Sequence, residues 1–112
     1  MTTLTSKRCR PCEGGIPPLK GEEAKLFLDQ LPPWQMNGAE TWIERTFTFV
    51  DFHRTMAFVN AVAWIAHQED HHPELTISYK ECRVRFSTHA IGGLSENDFI
   101  CAAKVEGLLL PT

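Results

Sequence analysis

Between Asp51 and Gln68 apolar residues recur at helical spacing, and this segment constrains the fold most. Phe52, Met56, Val59, Ala63 and Ala66 form one stripe, widened by Phe58, Val62 and Ile65. Asp51 stands where an N-cap is needed, and the spacing predicts a helix from Phe52 to about Gln68. A stripe this wide must lie flat on a sheet or on a partner subunit. Phe58 and Trp64 are therefore expected in a core.

The flanking segments have a different period. Residues 41–50 alternate, with Ile43, Phe47 and Phe49 on one side and Trp42, Glu44, Thr46 and Thr48 on the other; Arg45 interrupts the apolar side. Leu75 to Tyr79 and Arg83 to Thr88 alternate too, as half-buried strands do. Trp34 to Met36 predicts a short strand, linked to the next through the hairpin-type signal Asn37-Gly38. A first helix is expected over Glu22–Gln30, with Glu22 and Glu23 at the positive end of its dipole and Pro32-Pro33 beyond it. Gly92-Gly93 predicts a flexible loop. Ser95, followed by Asp98 at the N3 position, forms a variant capping box and starts a last helix running to about Leu109. The order helix, strand, strand, helix, strand, strand, helix implies an α+β fold, with a four-stranded antiparallel sheet and the helices on one face.

A length of 112 residues suits a single domain, 1–112, with an irregular N-terminal segment over 1–18 broken by Gly14, Gly15, Pro17 and Pro18. The formal charge of -3 argues against a general nucleic-acid surface. The longest apolar stretch, 57–66, is about half of what a membrane-spanning helix requires. The N-terminus lacks the apolar core of a signal peptide, so a cytoplasmic location is expected. Four cysteines are present: Cys9, Cys12, Cys82 and Cys101. Cys9-Arg10-Pro11-Cys12 lacks the second pair of a zinc finger. It is read as a loop packed against the domain, with a small metal-binding or redox role as the competing reading.

Four of the five histidines, His67, His71, His72 and His89, fall within 23 residues. Histidine gives and takes protons near neutrality, so acid/base chemistry and metal binding both come into question. His67 and His71 are one helical turn apart, but position 68 is Gln where a zinc-protease motif needs Glu. His71 and His72, adjacent in extended chain, point to opposite sides. The acid/base reading is favoured. His71 and His72 come where the second helix ends and His89 where the last strand ends, and two such ends can meet at the rim of a sheet. His67 and the remote His53 are expected at the surface.

The same residues carry a resemblance. His71-His72-Pro73-Glu74, Tyr79, Ser87-Thr88-His89, Gly93-Leu94-Ser95 and Asp98 look like pterin-4a-carbinolamine dehydratase. Five residues separate Pro73 from Tyr79, nine separate Tyr79 from His89 and eight separate His89 from Asp98. Pro33-Trp34, the run Phe47-Thr48-Phe49-Val50-Asp51-Phe52 and the opening Cys9-Arg10-Pro11-Cys12-Glu13-Gly14-Gly15 are similar to bacterial members. Two positions depart from the family: His67 stands where a carboxylate is common, and Leu75 where Trp is common.

The resemblance implies dehydration of 4a-hydroxytetrahydropterin to quinonoid dihydropterin, in tetrahydrobiopterin recycling, with no metal or organic cofactor. It implies a catalytic set of His71, His72 and His89, with His71 and His89 as the acid/base pair and His72 mainly holding the pterin and supporting the other two. Asp70, Ser87 and Thr88 would line the pterin edge, with His67 and Asp98 in possible supporting roles. It also implies a homodimer or homotetramer, neither membrane nor nucleic acid as partner, and a functional link to an aromatic amino-acid hydroxylase. The alternative is a dimerisation or assembly protein without a catalytic role, a second role known in the family.

Overall fold

The computed structural model describes residues 4–10 and 16–109. After a 3₁₀ turn at Leu4–Ser6, the chain forms α1 (Gly21–Leu28), β1 (Gln35–Met36), β2 (Ile43–Thr48) and α2 (Phe52–Glu69). It continues as β3 (Glu74–Ile77), β4 (Glu81–Phe86), a 3₁₀ turn (His89–Ile91) and α3 (Glu96–Gly107). The four strands form one antiparallel sheet in the order β1-β2-β4-β3. This is the expected α+β arrangement; in the N-terminal segment expected to be irregular, Leu4–Ser6 forms a 3₁₀ turn, and Gly14 and Gly15 lie outside the described residues.

Register explains how the sheet sorts its side chains. Ile43 pairs with Phe86, Arg45 with Val84 and Phe47 with Cys82, so these residues share a face. Apart from Arg45 they are almost wholly buried, and they join residues of α2 and α3 in one hydrophobic cluster. The opposite face carries Glu44, Arg83 and Arg85. Glu44 meets Arg85 at 3.1 Å and Arg83 at 3.5 Å, and the Arg85 guanidinium lies 3.9 Å from the centroid of Trp42.

Arg45, the interruption in the apolar pattern of β2, has a structural answer. It pairs with Glu106 of α3 and lies 4.4 Å from the centroid of the Phe47 ring. Trp34 Nε1–H donates to the same Glu106 carboxylate at 2.8 Å. One carboxylate thus satisfies two donors that the fold carries toward its interior.

Only part of the wide stripe that the spacing of α2 predicts is buried, and it is the side that carries Phe58, Val59, Val62 and Ile65. Thr55, Phe58, Val59, Val62, Ile65 and Glu69 are buried, whereas Phe52, Ala63 and Trp64 are exposed. Trp64, at 60% exposure, is not a core residue. The stripe was wider than one face can bury, and the sheet selected the edge nearer Phe58, whose ring packs 4.6 Å from that of Phe47. Asp51 caps α2, its Oδ1 accepting from the Arg54 N–H at 2.8 Å.

Two turns also differ from expectation. Asn37 does not sit in a two-residue hairpin: its Oδ1 accepts from the Thr41 and Trp42 N–H groups and organises a longer loop between β1 and β2. The Gly92-Gly93 segment is a closed turn. Gly92 takes a left-handed φ of 66°, and Thr88 and Gly93 form a β-bridge.

Glu106→Ala leaves Arg45 and Trp34 without their acceptor, and a loss of about 2 kcal/mol is expected. The double variant Arg45→Leu/Glu106→Leu removes both charges and should recover the part of that loss due to Arg45 in urea unfolding, the buried Trp34 N–H still lacking its acceptor.

Candidate functional site

Three chain ends meet at one end of the sheet. α2 stops at Glu69 because Asp70 adopts a left-handed conformation (φ 50°, ψ 44°), its N–H turning back to the carbonyls of Ala66 and His67. The chain then leaves in a new direction, with the His71 N–H still bonded to the Ala66 carbonyl at 3.1 Å. β4 ends at Phe86 and passes through Ser87 and Thr88 into the 3₁₀ turn that begins at His89. α3 begins just beyond, with Ser95 as its N-cap and the expected capping box: Ser95 accepts from the Asp98 N–H and Asp98 accepts from the Ser95 N–H.

Between these ends lies a cavity of about 490 Å³. The end of α2 and the residues after it contribute Gln68 through His72, and the end of β4 contributes Ser87 through Ala90. Cys9 and Arg10 of the N-terminal segment and Asn97 of α3 complete the lining. The structure therefore brings His71, His72, His89, Asp70, Ser87 and Thr88 to one cavity. His67 is not among its lining residues: it is exposed on α2, its ring 5.4 Å from that of Trp64. His53 is exposed near the start of α2.

Asp98 has no exposed surface. Its Oδ1 lies 2.6 Å from His71 Nε2, and its Oδ2 accepts from Thr88 Oγ1 at 2.8 Å and from the Ser95 N–H at 3.0 Å. A carboxylate only accepts, so His71 Nε2 carries the hydrogen in this pair. That leaves Nδ1, which has no hydrogen-bond partner among the described residues, as the nitrogen available to a ligand. The His71 ring stacks on Phe86, 6.0 Å between centroids and 9° from parallel. His71 is thus fixed by a hydrogen bond to a buried carboxylate at one nitrogen and by an aromatic ring against its face. His72 and His89 are exposed, their rings 6.3 Å apart and 26° from parallel. Among the described residues, no three His, Cys, Asp or Glu side chains are grouped to hold a metal ion.

Gln68, Glu69, Ala90, Cys9, Arg10 and Asn97 are the lining residues that sequence reasoning missed. The Glu69 carboxylate is buried. It accepts from the Cys9 N–H at 2.8 Å and lies 3.2 Å from Lys104 Nζ and 3.0 Å from Arg8 Nε. Burial alone would raise its pKa, but the Cys9 N–H, Lys104 and Arg8 outweigh it and hold the carboxyl below its ordinary value. The signal for Glu69 lay in its place among the charged residues before the His pair; the signal for Asn97 lay inside the capping motif. Cys9 bears out the reading of a packed loop, and Cys12 lies outside the described residues.

Comparison with known proteins shows the family to which the chain belongs. The family model for pterin 4 alpha carbinolamine dehydratase matches residues 17–108. The chain belongs to the pterin-4a-carbinolamine dehydratase family. A Nitrosomonas eutropha protein, provisionally named a pterin-4-alpha-carbinolamine dehydratase, is 60% identical over 108 residues, covering 96% of this chain and 94% of its own. Among solved structures, the transcriptional coactivator/pterin dehydratase from Brucella melitensis is similar, with a TM-score of 0.77 and 32% identity over 81% of this chain and 97% of its own. A pterin dehydratase-like RuBisCO assembly factor of the alpha-carboxysome shares the fold, with a TM-score of 0.61 and 21% identity over 70% of this chain and 92% of its own.

The lowered pKa of Glu69 makes a pH-dependent contribution to stability. A carboxyl whose folded-state pKa lies below its unfolded value stabilises the fold fully above the unfolded value, and the contribution is lost as the pH falls through the folded one. Glu69→Gln should therefore cost about 2 kcal/mol at neutral pH. The gap to the unmodified chain should narrow below the ordinary carboxyl value of 4.5, as read from urea unfolding over a pH series.

Proposed function

We propose that this chain dehydrates 4a-hydroxytetrahydropterin, 4a-hydroxytetrahydrobiopterin or a related pterin, to the quinonoid dihydropterin. The observation that carries this reading is the cavity in which an Asp98-anchored His71 sits near the exposed pair His72 and His89. The reaction breaks the C4a–O bond, removes the hydrogen on N5 and forms the C4a=N5 double bond, releasing water. It needs one proton delivered to the departing hydroxyl and one taken from N5, and both are transfers that imidazole performs near neutral pH.

In this reading His71 acts as the base. Its Nε2–H is engaged by Asp98, so Nδ1 is the atom that accepts the N5 proton. His89 delivers the proton to the leaving hydroxyl, and His72, beside it, holds the pterin. Asp70, Ser87 and Thr88 line the pterin edge, where strand-end backbone groups can read the paired donors and acceptors of the pyrimidinone ring. Asp98 is a positioning residue. No metal or organic cofactor is required, because the C4a–O bond breaks with the hydroxyl protonated by one acid and the N5 hydrogen taken by one base. A supply of substrate from an aromatic amino-acid hydroxylase, within tetrahydrobiopterin recycling in the cytoplasm, completes the proposal.

A homo-oligomer is part of the same reading. Trp64 lies exposed on α2 and Tyr79 exposed just after β3, the strand at one edge of the sheet. These surfaces support association of copies into a dimer or tetramer. The alternative role, an assembly protein without catalysis, draws on the same exposed surfaces but leaves the anchored histidine without a purpose. No helix of the described residues is long and apolar enough to cross a membrane.

With a chelator present throughout, the chain should accelerate dehydration of freshly generated 4a-hydroxytetrahydropterin, followed by absorbance. His89→Ala should lower kcat by roughly 10²-fold, whereas His72→Ala should act mainly on KM. A wild-type rate equal to that of buffer would transfer the proposal to the assembly role, and inhibition by the chelator would refute the metal-free mechanism.

A further inference from the structure

The dehydration chemistry makes no use of the cysteines, yet two of them meet beside the cavity. Cys9 lies on an N-terminal strap, residues 4–10, that precedes the region matched by the family model and still forms part of the cavity wall. The strap is tied down along its length. Leu4 is buried, Lys7 Nζ meets Glu96 at 3.1 Å, and the Cys9 N–H donates to Glu69 at 2.8 Å. The Arg10 N–H donates to Asn97 Oδ1 at 3.0 Å, and Asn97 Nδ2 donates to the Arg10 carbonyl at 2.5 Å. These contacts hold Cys9 Sγ 3.4 Å from Cys101 Sγ in the middle of α3, across 92 positions of sequence.

The two thiols differ in access. Cys101 has no exposed surface, while Cys9 is half-buried and lines the cavity. A small oxidant entering the cavity reaches Cys9 first, with Cys101 already in contact as the resolving thiol. The contact with Cys9, and then burial, push the Cys101 thiol up, which makes Cys9 the sulfur that reacts first with an oxidant.

We propose that Cys9 and Cys101 form an oxidisable pair that closes to a disulfide and staples the N-terminal strap to α3 beside the cavity. With hydrogen peroxide as oxidant, the Cys9 thiolate attacks one peroxide oxygen, the O–O bond breaks and the other oxygen leaves as hydroxide, giving a sulfenic acid. The Cys101 sulfur then displaces the sulfenic oxygen, its thiol proton leaving with that oxygen as water. Two thiols are oxidised by two electrons, and one peroxide becomes two waters. The sulfurs must close from 3.4 Å to about 2.05 Å. The required movement is of the order of an ångström, which a strap held by hydrogen bonds can supply. Because the cross-link closes a long loop, it restricts the unfolded chain strongly.

The test uses the full chain and does not depend on its enzymatic activity, so its outcome is independent of the dehydratase reading. The unmodified chain, Cys12→Ser, Cys9→Ser and Cys101→Ala are each treated with stoichiometric hydrogen peroxide, digested without reductant and mapped by mass spectrometry, with Tm measured in parallel. A Cys9–Cys101 linked peptide is expected in the unmodified chain and in Cys12→Ser, together with a Tm rise of roughly 10 °C that dithiothreitol reverses. Neither the linkage nor the rise is expected in Cys9→Ser or Cys101→Ala. A Cys9–Cys12 linkage, a linkage between chains, or Cys9 oxidised while Cys101 remains a free thiol would overturn the proposal. So would a Cys9–Cys101 linkage that leaves Tm unchanged.

Discussion

The carboxylate of Asp98 is the interaction on which this site depends. A fully buried carboxylate is stable only when its oxygens are well supplied with donors, and here each donor comes from a different part of the chain. His71 follows α2, Thr88 follows β4, and the Ser95 N–H opens α3. Satisfying one buried charge thus fixes the relative positions of three chain ends. The same contacts cap a helix and fix His71 and Thr88, two of the residues that line the cavity. Loss of any one donor would leave part of this buried carboxylate unsatisfied, at a cost that holds the three chain ends together.

Around that anchor the fold uses local devices to bring the histidines into range. The left-handed Asp70 turns the chain sharply off α2, which allows His71 to face inward while His72, the next residue, remains exposed at the rim. The closed turn after Thr88 places His89 beside His72. Glu69, one position before the turn, performs the complementary task for the N-terminal strap by accepting from Cys9 and meeting Arg8 and Lys104. Two buried carboxylates, one on each side of the His pair, therefore divide the work: Asp98 orients the imidazole and Glu69 holds the wall.

Much of the architecture was legible in the sequence because alternation and helical spacing report directly on burial. The strands, the long helix, its Asp51 cap and the Ser95–Asp98 capping box follow from local chemistry. The outward turn of Trp64 was not legible, since the apolar stripe of α2 was wider than one face and only the position of the sheet decides which edge is covered. Arg45 looked like a flaw in the pattern of β2 until α3 supplied Glu106 from 61 positions away. The histidines were legible as a cluster. Their ranking was not, because it depends on Asp98 reaching His71 across 27 positions. His67, expected at the surface, lies there beside Trp64, because α2 ends at Glu69 and the left-handed Asp70 carries His71 off the helix face that bears His67. The strap as a wall of the cavity left no periodic trace at all.

The central claim is that the Asp98-anchored His71 is the group that moves the N5 proton. Its most direct test is the rate of 4a-hydroxytetrahydropterin dehydration by the unmodified chain and by His71→Ala, measured side by side by stopped-flow absorbance on samples with matching circular dichroism spectra. The account predicts clear acceleration over buffer by the unmodified chain and a loss of roughly 10²-fold or more in His71→Ala. A His71→Ala variant that dehydrates the pterin at the unmodified rate would contradict it.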